Sequence, residues 1–286
     1  MSAELSVILP AKNESRSIGS VIKQIREHLP DAEVIVVDDG STDDTATIAE
    51  QAGARVISHP YAKGNGAAIK SGARGATGST LVFMDADGQH DPADITRLLT
   101  RLETYDMVVG ARRNRSHASL SRGLANRFYN LLASYMTGQH VADLTSGFRA
   151  VHAGKFREFL YLLPNGFSYP TTITMAFFRA GYSVAYEPIN AAQREGNSHL
   201  KPWKDGVRFL LIIFKIGTLY SPLKLFFPAA LAFLLLGLGW YVYTFGAMNR
   251  FTNMSALLIS ASFIVFMMGL ISEQITALIY KSNVRD

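Results

Sequence analysis

Residues 80–91, Thr80-Leu81-Val82-Phe83-Met84-Asp85-Ala86-Asp87-Gly88-Gln89-His90-Asp91, change character halfway. Thr80–Met84 reads as a strand whose apolar residues do not alternate with polar ones, the pattern of a strand buried on both faces. The chain then turns acidic and opens a loop. Asp85 and Asp87 lie two positions apart, and Gln89 adds an amide oxygen two further on. These are hard oxygen ligands of the kind Mg²⁺ or Mn²⁺ prefers. A divalent ion held there would neutralise a diphosphate and stabilise it as a leaving group. His90 reads as a structural histidine beside those ligands rather than one of them. Asp91 reads as the cap of a helix starting at Pro92.

Upstream and downstream, strands alternate with helices. Leu5–Leu9, Glu33–Val37, Arg55–Ser58 and Met107–Gly110 read as further strands. Ser17–Leu29, Asp43–Ala52, Asn65–Ala76 and Pro92–Glu103 read as helices, with Ser41 and Asp43 as start signals for the second. This order predicts an α/β fold with a Rossmann-like, mostly parallel sheet covered on both faces. Ligands of such sheets bind outside the carboxyl ends of the strands. Further on, helices are expected over Leu120–Met136 and Thr171–Ala180, and a late strand over Val184–Ile189.

Three other polar clusters fall at strand ends. Asp38-Asp39-Gly40-Ser41-Thr42-Asp43 follows the second strand; a carboxylate there can accept from a nucleobase N–H or a ribose hydroxyl, while Asp43 suits a helix cap. Lys63-Gly64-Asn65-Gly66 precedes a helix and is similar to a phosphate cradle, though it does not match the P-loop pattern. Pro10-Ala11-Lys12-Asn13-Glu14 ends the first strand and can wall a nucleotide.

The C-terminal part is of another kind. Of the 286 residues 48% are hydrophobic, but charge is concentrated before residue 225. Phe226–Phe245 carries no charge and as a helix spans about 30 Å, the thickness of a bilayer's hydrocarbon core. Met254–Ile271 is likewise uncharged, and its helix is expected to run on to Tyr280. Trp240, Tyr241 and Tyr243 fit an interfacial belt. Arg250 stands in the connecting loop, whereas Lys201, Lys204, Arg208, Lys215, Lys224, Lys281 and Arg285 flank the pair. The positive-inside rule therefore predicts cytoplasmic termini. Trp203–Leu219 mixes basic and apolar residues as an interfacial segment does. The expected organisation is a catalytic domain over 1–200, a juxtamembrane segment over 201–223 and a transmembrane hairpin over 224–286, with spans near 226–245 and 254–280.

The net charge of +5 suits anionic partners without choosing among them. The lack of cysteine excludes disulfides, thiolate metal sites and cysteine nucleophiles. MSAELSVILPAKNES has no basic region followed by an apolar run, so it is not expected to act as a signal peptide.

Taken in order, PAKNE, VVDDGSTDDT, KGNG, DADGQHDP, GAR (Gly110–Arg112) and TSGFRA (Thr145–Ala150) resemble glycosyltransferase family 2. Within it the chain resembles the dolichol-phosphate mannose synthases and bacterial polyprenyl-phosphate glycosyltransferases, over about residues 4–220. The resemblance implies an A-type glycosyltransferase fold and an inverting, metal-dependent transfer of a hexose from a UDP- or GDP-linked sugar to a polyprenyl phosphate. By position it implies Asp85, Asp87 and Gln89 at the metal and donor diphosphate. Asp39 would meet the base, with Pro10 and Glu14 nearby and Lys63 on the donor side. Arg194 and Ser198 would belong to a segment closing over the donor phosphates. Arg112, Arg122, Ser146 and Arg149 would approach the acceptor phosphate. Asp87, Arg122 and Ser146 carry the transfer in this reading. Arg149 stands where some relatives have an uncharged residue, so its role is left open by the resemblance. The implied location is the cytoplasmic membrane; homo-oligomers stay open, and no nucleic-acid partner is expected. The rivals are transfer to a lipid-linked saccharide or polysaccharide, disfavoured by the lack of a QxxRW-type motif, and a non-catalytic membrane subunit, disfavoured by the intact Asp85-x-Asp87-x-Gln89.

Overall fold

A computed structural model describes residues 4–112, 120–166, 169–190, 214, 217, 218 and 220–281, the side chains of 120–126 and 279–281 excepted. The chain forms two compact units, residues 1–200 and 201–286.

The first unit is built on strands β1 (Leu5–Ala11), β2 (Glu33–Asp38), β3 (Arg55–Ser58), β4 (Thr80–Phe83), β5 (Met107–Arg112), β6 (Arg149–His152) and β7 (Val184–Ile189). Between them lie helices α1 (Ile18–His28), α2 (Thr45–Gln51), α3 (Asn65–Gly75), α4 (Asp94–Leu102), α5 (Leu120–Thr137), α6 (Ala153–Arg157) and α7 (Tyr169–Arg179). One seven-stranded sheet has the order β3-β2-β1-β4-β6-β5-β7. β1 pairs in parallel with β2 and β4, β2 with β3, and β5 with β7. Only β6 runs against its neighbours, β4 and β5.

Period-two alternation decides which core each side chain joins. Val7, Leu9, Val34 and Val36 pack with Ile18, Ile22 and Ile25 of α1 and Leu98 of α4. Ile8, Ile35 and Val37 face the other way, onto Ile69 of α3, and that core continues through Phe83, Phe156 and Phe177. A sheet buried on both faces leaves only strand ends for polar chemistry. Because β1 hands on to β2 at one side and β4 at the other, the crevice for a ligand opens at their carboxyl ends.

The predicted strands and helices are present, and β6 and α6 are additions. The TSGFRA motif turns into strand at Arg149. This strand is short and starts with a charged residue, so it carries no periodic signal. Asp43 and Asp91 are expected as caps, but the capping positions are Asp44 and Ala93. Asp43 Oδ1 instead accepts from the N–H of Thr45 at 3.2 Å, and Asp91 Oδ1 from that of Ala93 at 2.9 Å, each bracing the turn that enters the helix.

The second unit holds α8 (Pro222–Met248) and α9 (Asn253–Lys281). Asn249 ends α8 in the left-handed conformation at φ 52°. The helices pack closely where residues are small: a Cβ on Gly237 would fall 2.9 Å from Ile259, and one on Gly269 2.8 Å from Phe226. Glu273 accepts from the N–H of Leu223 at 3.3 Å, near the amino end of α8, where the helix dipole favours an anion. Mean hydropathies of 2.0 and 2.3 accompany windows only 11% and 17% buried. Apolar helices this exposed fit a membrane-anchoring hairpin better than a soluble core.

Candidate active site

A cleft of about 640 Å³ opens at the carboxyl ends of β1, β2 and β4. Pro10, Glu14, Asp39, Lys63, Asp85, Asp87, Gln89, Arg112 and Ser146 all line it. The structure thus brings together residues spread from position 10 to 146.

The acidic turn is tied to its surroundings by main-chain contacts. Asp87 Oδ1 accepts from the N–H of Gln89 at 3.2 Å. Ser17, at the start of α1, donates to the carbonyl of Ala86 at 2.8 Å. The Asp85 carboxylate stands 3.8 Å from His90 Nε2. His90 is buried and stacked on Phe148 at 5.0 Å, with Nδ1 unpartnered. Across from Asp85, a Cβ on Gly147 would sit 3.2 Å from its Oδ2, so a glycine there keeps space open beside the carboxylate. Among the described residues no three His, Cys, Asp or Glu side chains form a metal cluster. Two carboxylates and an amide nonetheless fit an ion that shares substrate phosphates and water, as Mg²⁺ does.

On the β2 side the structure revises one expectation. Lys63 and Gly64 donate their N–H groups to Asp39 Oδ1 and Oδ2, each at 2.8 Å, and Gly66 donates to the carbonyl of Gly166. The expected phosphate cradle therefore uses these amides internally. Gly64 is required for that path, with φ +103° and a virtual Cβ 2.4 Å from the carbonyl oxygen of Asn165. Asp39 lines the cleft, with His59 Nδ1 2.7 Å from its Oδ1. His59 Nε2 reaches Ser71 Oγ on α3 at 2.8 Å. Burial pushes the Asp39 carboxyl up, but these hydrogen bonds outweigh it and hold its pKa below the ordinary value. Lys63 keeps its side chain on the cleft wall, with Nζ 5.7 Å from the centre of the Tyr61 ring.

The opposite wall carries Arg112, Thr145, Ser146 and Gly147. Arg112 binds Asp143 through Nε at 2.8 Å and Nη2 at 3.1 Å, and Thr145 Oγ1 at 2.7 Å. Asp143 also accepts from the N–H groups of Thr145 and Ser146, each at 3.1 Å. Burial raises the Asp143 pKa, yet the Arg112 hydrogen bonds and charge bring it below the usual carboxylate range. Ser146 Oγ is buried without a partner.

Arg149 is not on this wall. It is 0% exposed and lies beneath the turn, donating to the carbonyl of Ser146. Arg122 begins α5, but its side chain lies outside the described residues, as do Arg194 and Ser198. Sequence reasoning missed Asp143 and His59. Asp143-Leu144-Thr145-Ser146 has the spacing of an Asx turn followed by amide donors, a legible signal. His59 had none, because its partners come from β2 and α3.

A doubly covered sheet that opens on a carboxylate turn facing an arginine-bearing wall defines an A-type glycosyltransferase. Residues 6–160 match the glycosyl transferase family 2 model, and residues 221–278 match the GtrB C-terminal hairpin. The chain belongs to glycosyltransferase family 2. Glycosyltransferase AglJ of Haloferax volcanii is 31% identical over 83% of this chain and 80% of that protein. The undecaprenyl-phosphate mannosyltransferase of Micrococcus luteus is 30% identical over 66% of this chain and 83% of that protein. Glucosyl-3-phosphoglycerate synthase from Mycobacterium tuberculosis, solved with Mn²⁺ and uridine-diphosphate-glucose, is 27% identical with a TM-score of 0.60, covering 74% of this chain and 77% of that one.

Proposed function

We propose that this enzyme moves a hexose from a UDP- or GDP-linked donor to a polyprenyl phosphate with inversion at the anomeric carbon. The observation that carries the reading is the state of the wall opposite the acidic turn. Its carboxylate, Asp143, is bound by Arg112 and has a depressed pKa, so it is a poor proton acceptor. An alcohol acceptor needs a base. A phosphate acceptor arrives ionised and needs positioning and charge compensation, which the wall of Arg112 and Ser146, with buried Arg149 beneath it, offers. The Micrococcus luteus relative, whose name specifies an undecaprenyl-phosphate acceptor, supports the same choice.

In this reading an acceptor phosphate oxygen attacks the anomeric carbon while the bond to the donor diphosphate breaks and its electrons leave with the nucleoside diphosphate. Asp85, Asp87 and Gln89 would hold Mg²⁺ or Mn²⁺, which when bound supplies positive charge to the leaving diphosphate. Pro10, Glu14 and Lys63 wall the nucleotide side, and Asp39 fixes the Lys63–Gly64 turn there. Arg112, Arg122 and Ser146 serve the acceptor phosphate, and Arg194 and Ser198 the donor phosphates. Residues 1–200 form the catalytic domain, 201–223 a juxtamembrane segment and 224–286 the anchor, with both termini cytoplasmic.

The direct test incubates purified full-length enzyme and undecaprenyl phosphate with a panel of nucleotide sugars and weighs the lipid product. Addition of one hexose unit is expected; product formed only on lipid-linked saccharides would overturn the acceptor assignment. Topology is tested with Asn249→Cys, which introduces a thiol into a chain that has none. It should react with an impermeant reagent in intact cells, and protection there with labelling at Ser2→Cys would reverse the orientation.

A further inference from the structure

Arg149 opens β6, paired with Phe83 on one side and Val109 on the other, and its side chain is wholly buried. Nη1 donates to the carbonyl of Pro170 at 3.2 Å and to Thr174 Oγ1 at 3.3 Å, and Nη2 donates to the carbonyl of Ser146. Nε has no partner. The guanidinium lies 5.6 Å from the centre of the Tyr169 ring. Among the described residues no carboxylate approaches within ion-pair distance of it. A buried cation without a counter-ion is costly, and a core role alone would be met at lower cost by an apolar side chain.

What the cation touches gives it a purpose. Tyr169 donates from its hydroxyl to the carbonyl of Gly147 at 3.1 Å. Arg149 and Tyr169 therefore turn two consecutive carbonyls, those of Ser146 and Gly147, inward and away from the cleft that both residues of the turn line. Carbonyl oxygens left facing the cleft would repel an anion. Here their negative ends point at a buried positive charge, whose field in a low-dielectric interior also reaches the wall above.

We propose that Arg149, Tyr169 and Thr174 form a cationic latch beneath the Thr145–Gly147 turn, positioning it to receive the acceptor phosphate without touching that phosphate. This rests on the acceptor reading above, and it moves Arg149 from direct ligand to positioning residue. It also brings in Tyr169 and Thr174 from α7, a helix that does not line the cleft.

The test uses the full-length enzyme and the variants Tyr169→Phe, Thr174→Val, Arg149→Lys and Arg149→Met. Tyr169→Phe keeps the ring and removes one hydrogen bond to the turn. It should raise KM for undecaprenyl phosphate about three- to tenfold, the loss of one net hydrogen bond. Calorimetric affinity for the nucleoside diphosphate and KM for the nucleotide sugar should stay within about twofold. Arg149→Lys should recover more acceptor affinity than Arg149→Met at matched melting temperature, because it restores the charge. If Arg149→Met fails to fold, Tyr169→Phe and Thr174→Val still decide the matter. A parallel rise in donor KM, or a fall in melting temperature with acceptor KM unchanged, would reduce the latch to a structural tie. If the wild-type enzyme makes no lipid-linked product with any donor, the acceptor reading fails and the latch falls with it. If the wild type does and Tyr169→Phe matches its acceptor KM, only the latch fails.

Discussion

On the cleft wall built from β1, β2 and β4, carboxylates are held by main-chain N–H groups: Asp39 by Lys63 and Gly64, Asp87 by Gln89, Asp38 Oδ1 by Ser41 at 3.1 Å. On the facing wall a carboxylate, Asp143, is held chiefly by an arginine. Amide donors fix a carboxylate without cancelling its charge, so the first wall keeps acidic groups oriented and suits a cation. The Arg112–Asp143 pair is neutral as a unit, and Arg149 beneath it adds a net positive charge, so the second wall suits an anion. The sheet accounts for the separation, since the first wall comes from neighbouring parallel strand ends and the second from β5 and the turn entering antiparallel β6.

The contrast breaks most severely at Asp87. Asp87→Ala should lower turnover about a hundredfold or more at saturating Mn²⁺, as when a strong transition-state electrostatic contact is lost. Wild-type turnover in that variant, or full activity of the wild type in EDTA, would take the metal out of the mechanism. Arg112→Ala and Arg122→Ala should each cost about tenfold in transfer, near 1.5–3 kcal/mol for a charge-assisted hydrogen bond. Both should act through acceptor KM or kcat, with nucleotide diphosphate affinity intact by calorimetry. Parallel loss of nucleotide binding would assign the residue to the donor wall instead.

Most of the first wall is legible in the sequence because its residues sit where buried strands stop. An apolar run ending in Asp38-Asp39 or Asp85-Ala86-Asp87 gives both the strand and the edge at which the side chains emerge. The hairpin is legible from composition alone, as length and lack of charge suffice. The second wall is legible only as residue types. Arg112, Ser146 and Arg149 stand out, but nothing local says that Arg149 points down rather than into the cleft. That direction is set by β6, whose Arg149-Ala150-Val151-His152 is too short to declare itself and whose pairing with Val109 and Phe83 is long-range. The Lys63–Gly66 turn misleads for the opposite reason. Its composition suits phosphate, but Asp39 and Gly166, remote in sequence, take its amides.

A smaller effect is expected at His59, which sharpens the comparison because it acts on the first wall alone. His59 links Asp39 to Ser71 on α3, so its loss should loosen the turn bearing Lys63. His59→Ala should raise KM for the nucleotide sugar about three- to tenfold and leave KM for the lipid phosphate unchanged. His59→Asn, which retains a donor close to the Nδ1 position, should recover part of the loss. An effect on acceptor KM of equal size would mean that the two walls are mechanically coupled and the contrast is overdrawn.

The smallest expected effect is on stability, and it tests whether Asp143 is ionised as the second wall requires. Its carboxyl has a lower pKa in the folded protein than the ordinary value near 4 of an unfolded chain. The folded state therefore binds its proton less readily than the unfolded state. The stabilisation is fully present above about pH 4 and is lost as pH falls through the depressed folded value. An Asp143→Asn variant carries an amide that does not titrate, so it lacks this dependence. The other carboxylates with lowered pKa, among them Asp39 and Asp106, titrate alike in both proteins. Subtracting one melting curve from the other isolates the Arg112–Asp143 pair. At pH 7 the full-length variant should melt lower, by about 2–4 °C for each kcal/mol lost. The gap should hold steady from pH 7 to about pH 5, begin to narrow below about pH 4, and close as pH falls through the depressed folded value, where wild-type Asp143 also becomes neutral. A gap that persists or widens in acid would show that Asp143 contributes through packing rather than charge. Arg112 would then stand on the wall as an uncompensated cation, and the neutral pair would have to be given up.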